Sequence, residues 1–595
     1  MPAPTVAAGG EKKPPTKRPR AEGTITPKLR NLRRKALASH DEWAVNVLHR
    51  IGDALNAPGG TEFTNTRSGP QGQILKWPEI YKPVPTPLTA PLSLQSAKLV
   101  TQAVLLLLLS LEKYDARSRT FLLILASSLR VPADVVITLE SETAKTLIAV
   151  SKQMSADAES KKRVDEGRFS KRWKVGLASV AGAAVIGVTG GLAAPLVAAG
   201  IGGLLSGVGL GATAVAGYLG AVAGSGAIMG ALFGAYGGKM TGEMVERYAA
   251  EVEDFAFLPL HKSDSRLRVT IGIIGWLTTP DEVTLPWKAL NENAEVYALR
   301  WEMDALLDLG SSLQEVLKSY AWSYVKLEII KRTVLASLWA AIWPVALLRA
   351  ARVIDNPFSI AKHRSEKAGR VLADAIINKA QGERPVTLIG FSLGARVIYY
   401  CLRSLAERGA YGLVENVVLM GAPVPSSGDT WTAVRTVVAG RVVNVYSEKD
   451  YILGFLYRTS SVQFGIAGLQ PVKVPGIENV NVGNRVEGHL RYRHVAGVIL
   501  KEIFGHDVDI DEVGREEEIL KVLELGDEQD ERERKEREEK GGGSRDVEGE
   551  IDSALEKAER ELEERKLRRE KEVRRKRREV KREEERRRRG QFDRL

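Results

Sequence analysis

The sequence predicts an α/β fold, a doubly wound and mainly parallel sheet, preceded by a helical domain and a Gly/Ala-rich transmembrane hairpin. Three observations carry this expectation. Between residues 266 and 505, apolar β-type runs alternate with helical patterns, as strands joined by crossover helices do. Between Lys174 and Lys239 there is no Asp, Glu, Lys, Arg or His, over a length that suits two bilayer-crossing helices. From residue 507 the chain is dominated by Glu, Asp, Lys and Arg, which predicts a charged tail, helical or disordered.

At 595 residues the chain exceeds what one core organises, so several folded units plus tails are expected. Residues 1–40 are rich in Pro, Lys and Ala and read as a disordered basic tail. They contain no apolar h-region, so no cleaved signal peptide is expected. The net charge of +11 is concentrated in that tail, just before the charge-free run and in the last 30 residues. None of these stretches interleaves aromatics or carries a nucleic-acid module, so no nucleic-acid partner is expected.

Residues 41–165 are expected to form a helical domain. Its leucine run, Leu105–Leu109, belongs to an apolar stretch too short to span a bilayer and reads as a buried helix. The single cysteine, Cys401, excludes an intramolecular disulfide framework and fits a reducing compartment.

The run Val175–Gly238 repeats small residues four apart, as at Gly187/Gly191 and Gly226/Gly230/Gly234. Such faces let helices approach closely in lipid. Upstream, Lys161–Lys174 sets seven cations against two acids, whereas Glu243–Asp254 is mainly acidic. Positive-inside orientation then places the upstream side in the cytosol. An even number of passes would leave the 260–505 domain facing the cytosol as well. A buried hairpin of a soluble protein is the alternative, because hydrophobicity per residue is low.

In the α/β region the expected strands are Leu267–Ile274, Glu295–Leu299, Val386–Gly390, Val417–Met420, Val442–Tyr446 and Val472–Val474. A long helical insert containing Trp322, Trp339 and Trp343 separates the second from the third, and its uncharged stretch Thr333–Leu348 is short for a span. In the 507–595 tail, Ile551, Leu555, Ala558 and Leu562 keep a 4-3-4 spacing, enough for one or two coiled-coil heptads.

Gly390-Phe391-Ser392-Leu393-Gly394 matches G-x-S-x-G. Alone the match is weak, but it directly follows a β-branched run and opens a helical pattern, as a nucleophile elbow requires. The chain order Ser…Asp…His is then demanded of an α/β-hydrolase. Asp450 follows the strand Val442–Tyr446, and His489 opens the final helix. Ser392 is thus the expected nucleophile, His489 the base and Asp450 the acid. Glu448 and Asp429 are alternative acids, and His494 an alternative base. Oxyanion donors are expected from the Leu393 N–H and from the Gly275-Trp276-Leu277 loop, at Trp276 or Leu277. No metal or nucleotide cofactor site is evident.

Pro385–Leu402, with Asp355–Phe358, Gly421–Pro423 and Tyr114–Arg119, resembles the transmembrane and coiled-coil domain-containing α/β-hydrolase family of fungi and animals. The resemblance covers about residues 100–500 and implies a membrane-associated, lipase-like enzyme; the expected reaction is hydrolysis of a carboxylic ester, of a lipid or other acyl substrate, through an acyl-Ser392 intermediate. Asp450 and His489 fall where that family's acid and histidine are expected. The other reading is a catalytically inactive membrane scaffold or trafficking factor that meets protein partners through its charged tail.

Overall fold

The computed structural model describes residues 26–55, 77–85, 92–148, 252–318, 345–460 and 465–539, with short interruptions, and isolated positions at 232–233 and within 560–575. Most of Val175–Gly238, together with Trp322, Trp339, Trp343 and the heptad positions Ile551–Leu562, lies outside the described residues.

Among the described residues seven strands form one sheet, in the order β1-β3-β2-β4-β5-β6-β7. They are β1 (Ala256–Pro259), β2 (Val269–Ile273), β3 (Glu295–Arg300), β4 (Val386–Phe391), β5 (Val414–Met420), β6 (Val442–Tyr446) and β7 (Ile477–Asn481). Only β1 runs antiparallel, along β3. Every residue of β2 and of β5 is buried, so both faces of the sheet are covered. That is why these strands read as continuous apolar runs rather than alternating ones. Strand order reverses at β2: the chain steps outward to β3, then returns to the other side of β2 as β4, in register from Val269↔Val386 to Ile273↔Gly390. Open α/β sheets bind ligands beyond the strand ends at such a switch point.

Two strand expectations are corrected. Val472–Val474 is not a strand. Pro471 and Pro475 bracket it and supply no N–H for a ladder, and the Asn479 side chain occupies its backbone instead, accepting from Val472 N–H at 2.7 Å and donating to Val472 O at 3.0 Å. The seventh strand lies just beyond, at Ile477–Asn481. The edge strand β1 was not expected, being only four residues ending in Pro259.

Upstream, α1 (Pro27–Leu55), α2 (Leu94–Leu109), α3 (Ala116–Ser128) and a helix over 133–145 share one apolar core. Helix α1 begins well inside the stretch expected to be a disordered tail. Leu29 and Val47 are buried on its inner face, a stripe that the basic composition conceals. Leu232 and Phe233, near the downstream end of the charge-free run, also lie in this core, with Arg384 stacked 5.2 Å from the Phe233 ring centre. At those two positions protein, not lipid, covers the run. Among the described residues no helix is long and apolar enough to cross a membrane.

A buried polar network joins these helices to the sheet. Tyr114 donates to Glu140 at 2.5 Å, and Arg119 bonds Glu140 at 2.8 and 3.1 Å and also pairs with Glu415 on β5. Arg268, just before β2, grips Asp507 through two bonds of 2.9 Å. Burial pushes the Glu415 carboxyl above its ordinary range, and Arg119 pulls it back.

Beyond β3 come α4 (Met303–Lys318), α5 (Val345–Ile377), α6 (Leu393–Arg408), α7 (Gly428–Arg435), α8 (Tyr451–Ser460), α9 (Tyr492–Phe504) and α10 (Ile510–Glu539). The last packs on α9, where Glu516 accepts from the Gly497 and Val498 N–H groups at 2.7 and 3.3 Å.

Candidate active site

The turn from β4 into α6 holds Ser392 at φ 56°, ψ −129°, a conformation costly for a residue with a side chain and characteristic of functional sites. Its N–H donates to Met420 O at 2.9 Å, tying the turn to the end of β5. The flanking glycines have specific causes. A Cβ on Gly394 would stand 2.1 Å from Ile273 O, and one on Gly390 2.8 Å from the Ile398 side chain. The turn therefore closes against β2 on one side and its own helix on the other.

The structure brings Ser392, His489 and Asp450 together. His489 Nε2 lies 2.6 Å from Ser392 Oγ, and His489 Nδ1 lies 2.6 Å from Asp450 Oδ2. All three are buried, at 3%, 1% and 1% exposure, so these bonds act in a medium of low dielectric. Asp450 immediately precedes α8, and its Oδ1 accepts the Leu453 N–H at 3.0 Å. The carboxylate thus caps a helix while its other oxygen faces the histidine, and the helix N-terminus favours its negative charge. His489 sits in a single turn of 3₁₀ helix opening α9.

The alternatives fall elsewhere. Glu448 and Asp429 are exposed. His494 Nε2 accepts from Arg493 Nε at 2.9 Å. Burial, then the Arg493 charge, lowers the His494 pKa to about 4, so it is neutral and committed at neutral pH.

Of the amides expected to face an oxyanion, Leu277 is corrected: its N–H donates to Leu306 O at 3.1 Å. Leu306 lies on α4, far along the chain, and no local pattern announces it. Leu393 and Trp276 remain, with no backbone acceptor among the described residues. They are brought close by Gly275, where a Cβ would lie 2.2 Å from Leu393 N. Trp301 fixes this loop by donating its indole N–H to Ile274 O at 3.0 Å.

Sequence reasoning missed two further ties. Glu282 accepts the Thr278 N–H at 2.6 Å and Arg493 at 2.7 Å, joining the Gly275–Thr278 loop to the helix behind His489. Arg493 also lies 4.9 Å from the Trp276 ring centre. Ser447, fully buried, donates to Val486 O at 2.8 Å and accepts the Lys449 N–H at 3.2 Å, linking the Asp450 loop to the segment ahead of His489. A serine before an acid carries no signal by itself. Among the described residues no group of His, Cys, Asp and Glu has the arrangement of a metal site.

Comparison with known proteins gives one family and several relatives. Residues 167–505 match the family described as "Protein of unknown function (DUF726)". An uncharacterized membrane protein of Schizosaccharomyces pombe is 41% identical over 475 residues, covering 78% of this chain and 79% of that protein. A rice protein named "Transmembrane and coiled-coil domain-containing protein STS1" is 40% identical over 66% of this chain and 61% of its own length. A Saccharomyces cerevisiae protein named "Probable lipase MIL1" is 32% identical over 71% of this chain, but the match spans only 40% of that protein. No solved structure matches at the same level of significance.

Proposed function

The chain belongs to the DUF726 family, and we propose that it is a membrane-associated serine hydrolase of the α/β-hydrolase type that cleaves a carboxylic ester, in our reading a lipid. The observation that carries this reading is the hydrogen-bonded line Ser392–His489–Asp450, with 2.6 Å at each step, on a positive-φ serine at the switch point of a mainly parallel sheet. In this proposal the helical unit, the charge-free run and the α/β unit are successive parts of one membrane-bound enzyme, and the charged tail offers a surface to protein partners.

The chemistry proceeds from these positions. Ser392 Oγ attacks the ester carbonyl while His489 Nε2 takes its proton. Asp450 holds the imidazole with Nδ1–H toward itself and stabilises the imidazolium. The Leu393 and Trp276 N–H groups are assigned to the developing oxyanion. His489 then protonates the leaving alkoxide, and an activated water releases the acyl group from Ser392.

The lipid substrate is supported by the names of relatives: one carries the name of a lipase, and others are named membrane proteins. The membrane anchor is assigned to the charge-free run, with the α/β unit on the cytosolic side. A fluorophosphonate probe tests the reading. Wild-type protein should be labelled and Ser392→Ala should not; failure to label folded wild type would favour the scaffold role instead.

A further inference from the structure

We infer that the first two and a half turns of α1 form a cationic surface that docks on the anionic face of a membrane, apart from the site around Ser392. Lys28, Arg30, Arg33, Arg34 and Lys35 are all exposed, and no acid occurs from Pro27 to His40. Among the described residues none of the five has a carboxylate partner. Arg34 donates only to Asn31, at 2.9 Å.

Apart from that one bond along the helix, these cations do little for the helix that carries them. Its first turn holds no acid, and positive charge there opposes the helix dipole. Nor do they dock the helix, which other residues do. Trp43 donates to Ser118 Oγ at 3.2 Å and meets Phe121 edge-on. Arg117 donates to Ser39 O at 2.9 Å, and Tyr411 to Leu32 O at 3.4 Å. The charge is thus presented from a fixed element. A locally unfavourable choice without structural return marks a surface kept for something outside the chain.

The occupant follows from what accompanies the charge. Leu37, one turn on, is 55% exposed, and a cationic helix with an exposed aliphatic side chain suits the headgroup boundary of a bilayer. The only tryptophan of α1 is turned inward, so the surface offers no stacking platform for nucleic-acid bases. Relatives are named membrane proteins. The place is also distinct from the catalytic one. Tyr411 lies just ahead of β5, at the N-terminal end of the parallel strands, whereas Ser392 follows the C-terminal end of β4.

Each Lys or Arg near an anionic leaflet strengthens binding by a factor of about five, so three together give roughly a hundredfold. The test adds full-length protein to saturating vesicles of phosphatidylcholine alone or with phosphatidylserine. Acetylation of Lys28 and Lys35 is then read by mass spectrometry. Both lysines should be protected only on the anionic vesicles, and raised salt should restore labelling. Arg30→Gln/Arg33→Gln/Arg34→Gln should lose the protection, the matching Arg→Lys triple should keep it, and neither should change turnover of a soluble ester. Equal labelling on the two vesicle types, or protection that survives in the Gln triple, would overturn the inference. So would stronger protection by a short RNA than by the anionic vesicles. None of these outcomes depends on whether Ser392 is catalytic.

Discussion

Gly275 lies so close to Leu393 that a Cβ on the glycine would stand 2.2 Å from the leucine amide nitrogen. The contact is backbone against backbone, so no side-chain rotation relieves it. Gly275→Ala should push the loop off the Ser392 turn and separate the Trp276 and Leu393 amides. We expect kcat on a p-nitrophenyl ester to fall about 10²–10³-fold, the cost of one oxyanion donor, with KM nearly unchanged. A variant that folds and turns over normally would remove Gly275 from this role.

Ser392→Ala should reduce kcat by roughly 10⁴–10⁶-fold while leaving the fold intact, since alanine is smaller than serine. His489→Ala should cost a similar factor, and the double variant hardly more, because the two act as one unit. His494→Ala should keep most of the activity, its ring being neutral and bonded to Arg493. Steady-state kinetics on the four proteins decides, and a dead His494 variant would contradict the assignment.

Arg119→Met should destabilise the chain by about 3–5 kcal/mol, the usual cost of stranding a buried charge. Glu140 and Glu415 would lose their common partner. Adding Glu415→Gln should recover part of the loss. Denaturant melts of the single and double variants measure both. Additive losses would show that the three side chains are not coupled.

Glu516 gives a pH signature. Burial pushes its carboxyl up to about 7, against the two backbone N–H bonds that pull it down. A raised folded pKa means that its contribution to stability is full below the unfolded value near 4.5 and is lost as pH rises through 7. Glu516→Gln keeps an acceptor for the Gly497 N–H and carries no charge. It should therefore leave stability unchanged at pH 4.5 and raise it at pH 8 by on the order of 1 kcal/mol, discounted for partial exposure. A variant less stable than wild type at pH 8 would refute the sign.

Carbonate-washed membranes should retain the protein, and deleting residues 175–225 should release it with activity on soluble esters preserved. The deletion stops short of 238 because Leu232 and Phe233 belong to the helical core. Removing them as well should cost stability. Release of the intact protein by carbonate would count against an anchored enzyme.

The arrangement of the candidate site was legible where it depends on local structure. The G-x-S-x-G turn, the acid after β6 and the histidine opening α9 each sit at an element boundary that sequence periodicity reveals, so Ser392, Asp450 and His489 could be named together. What stayed hidden depends on distant partners. The Leu277 amide is taken by Leu306, Glu282 reaches across to Arg493, and Ser447 is recognisable only through Val486. The errors in the fold have the same origin. Val472–Val474 has strand composition but lies between prolines, and the inner stripe of α1 is masked by surrounding cations.

The pairing of Arg119 with Glu415 spans 296 residues of sequence, and this has a consequence for biosynthesis. At about 5–20 residues per second, a ribosome needs roughly 15–60 s to travel that distance. Until Glu415 emerges, Glu140 is the one carboxylate partner of Arg119 among the described residues, and the surface meant for β5 stays open to water. The charge-free run is translated inside the same interval. Whatever receives it from the ribosome therefore meets a nascent chain whose helical unit is still unfinished, and that unit can close only after the Ser392 turn has left the exit tunnel.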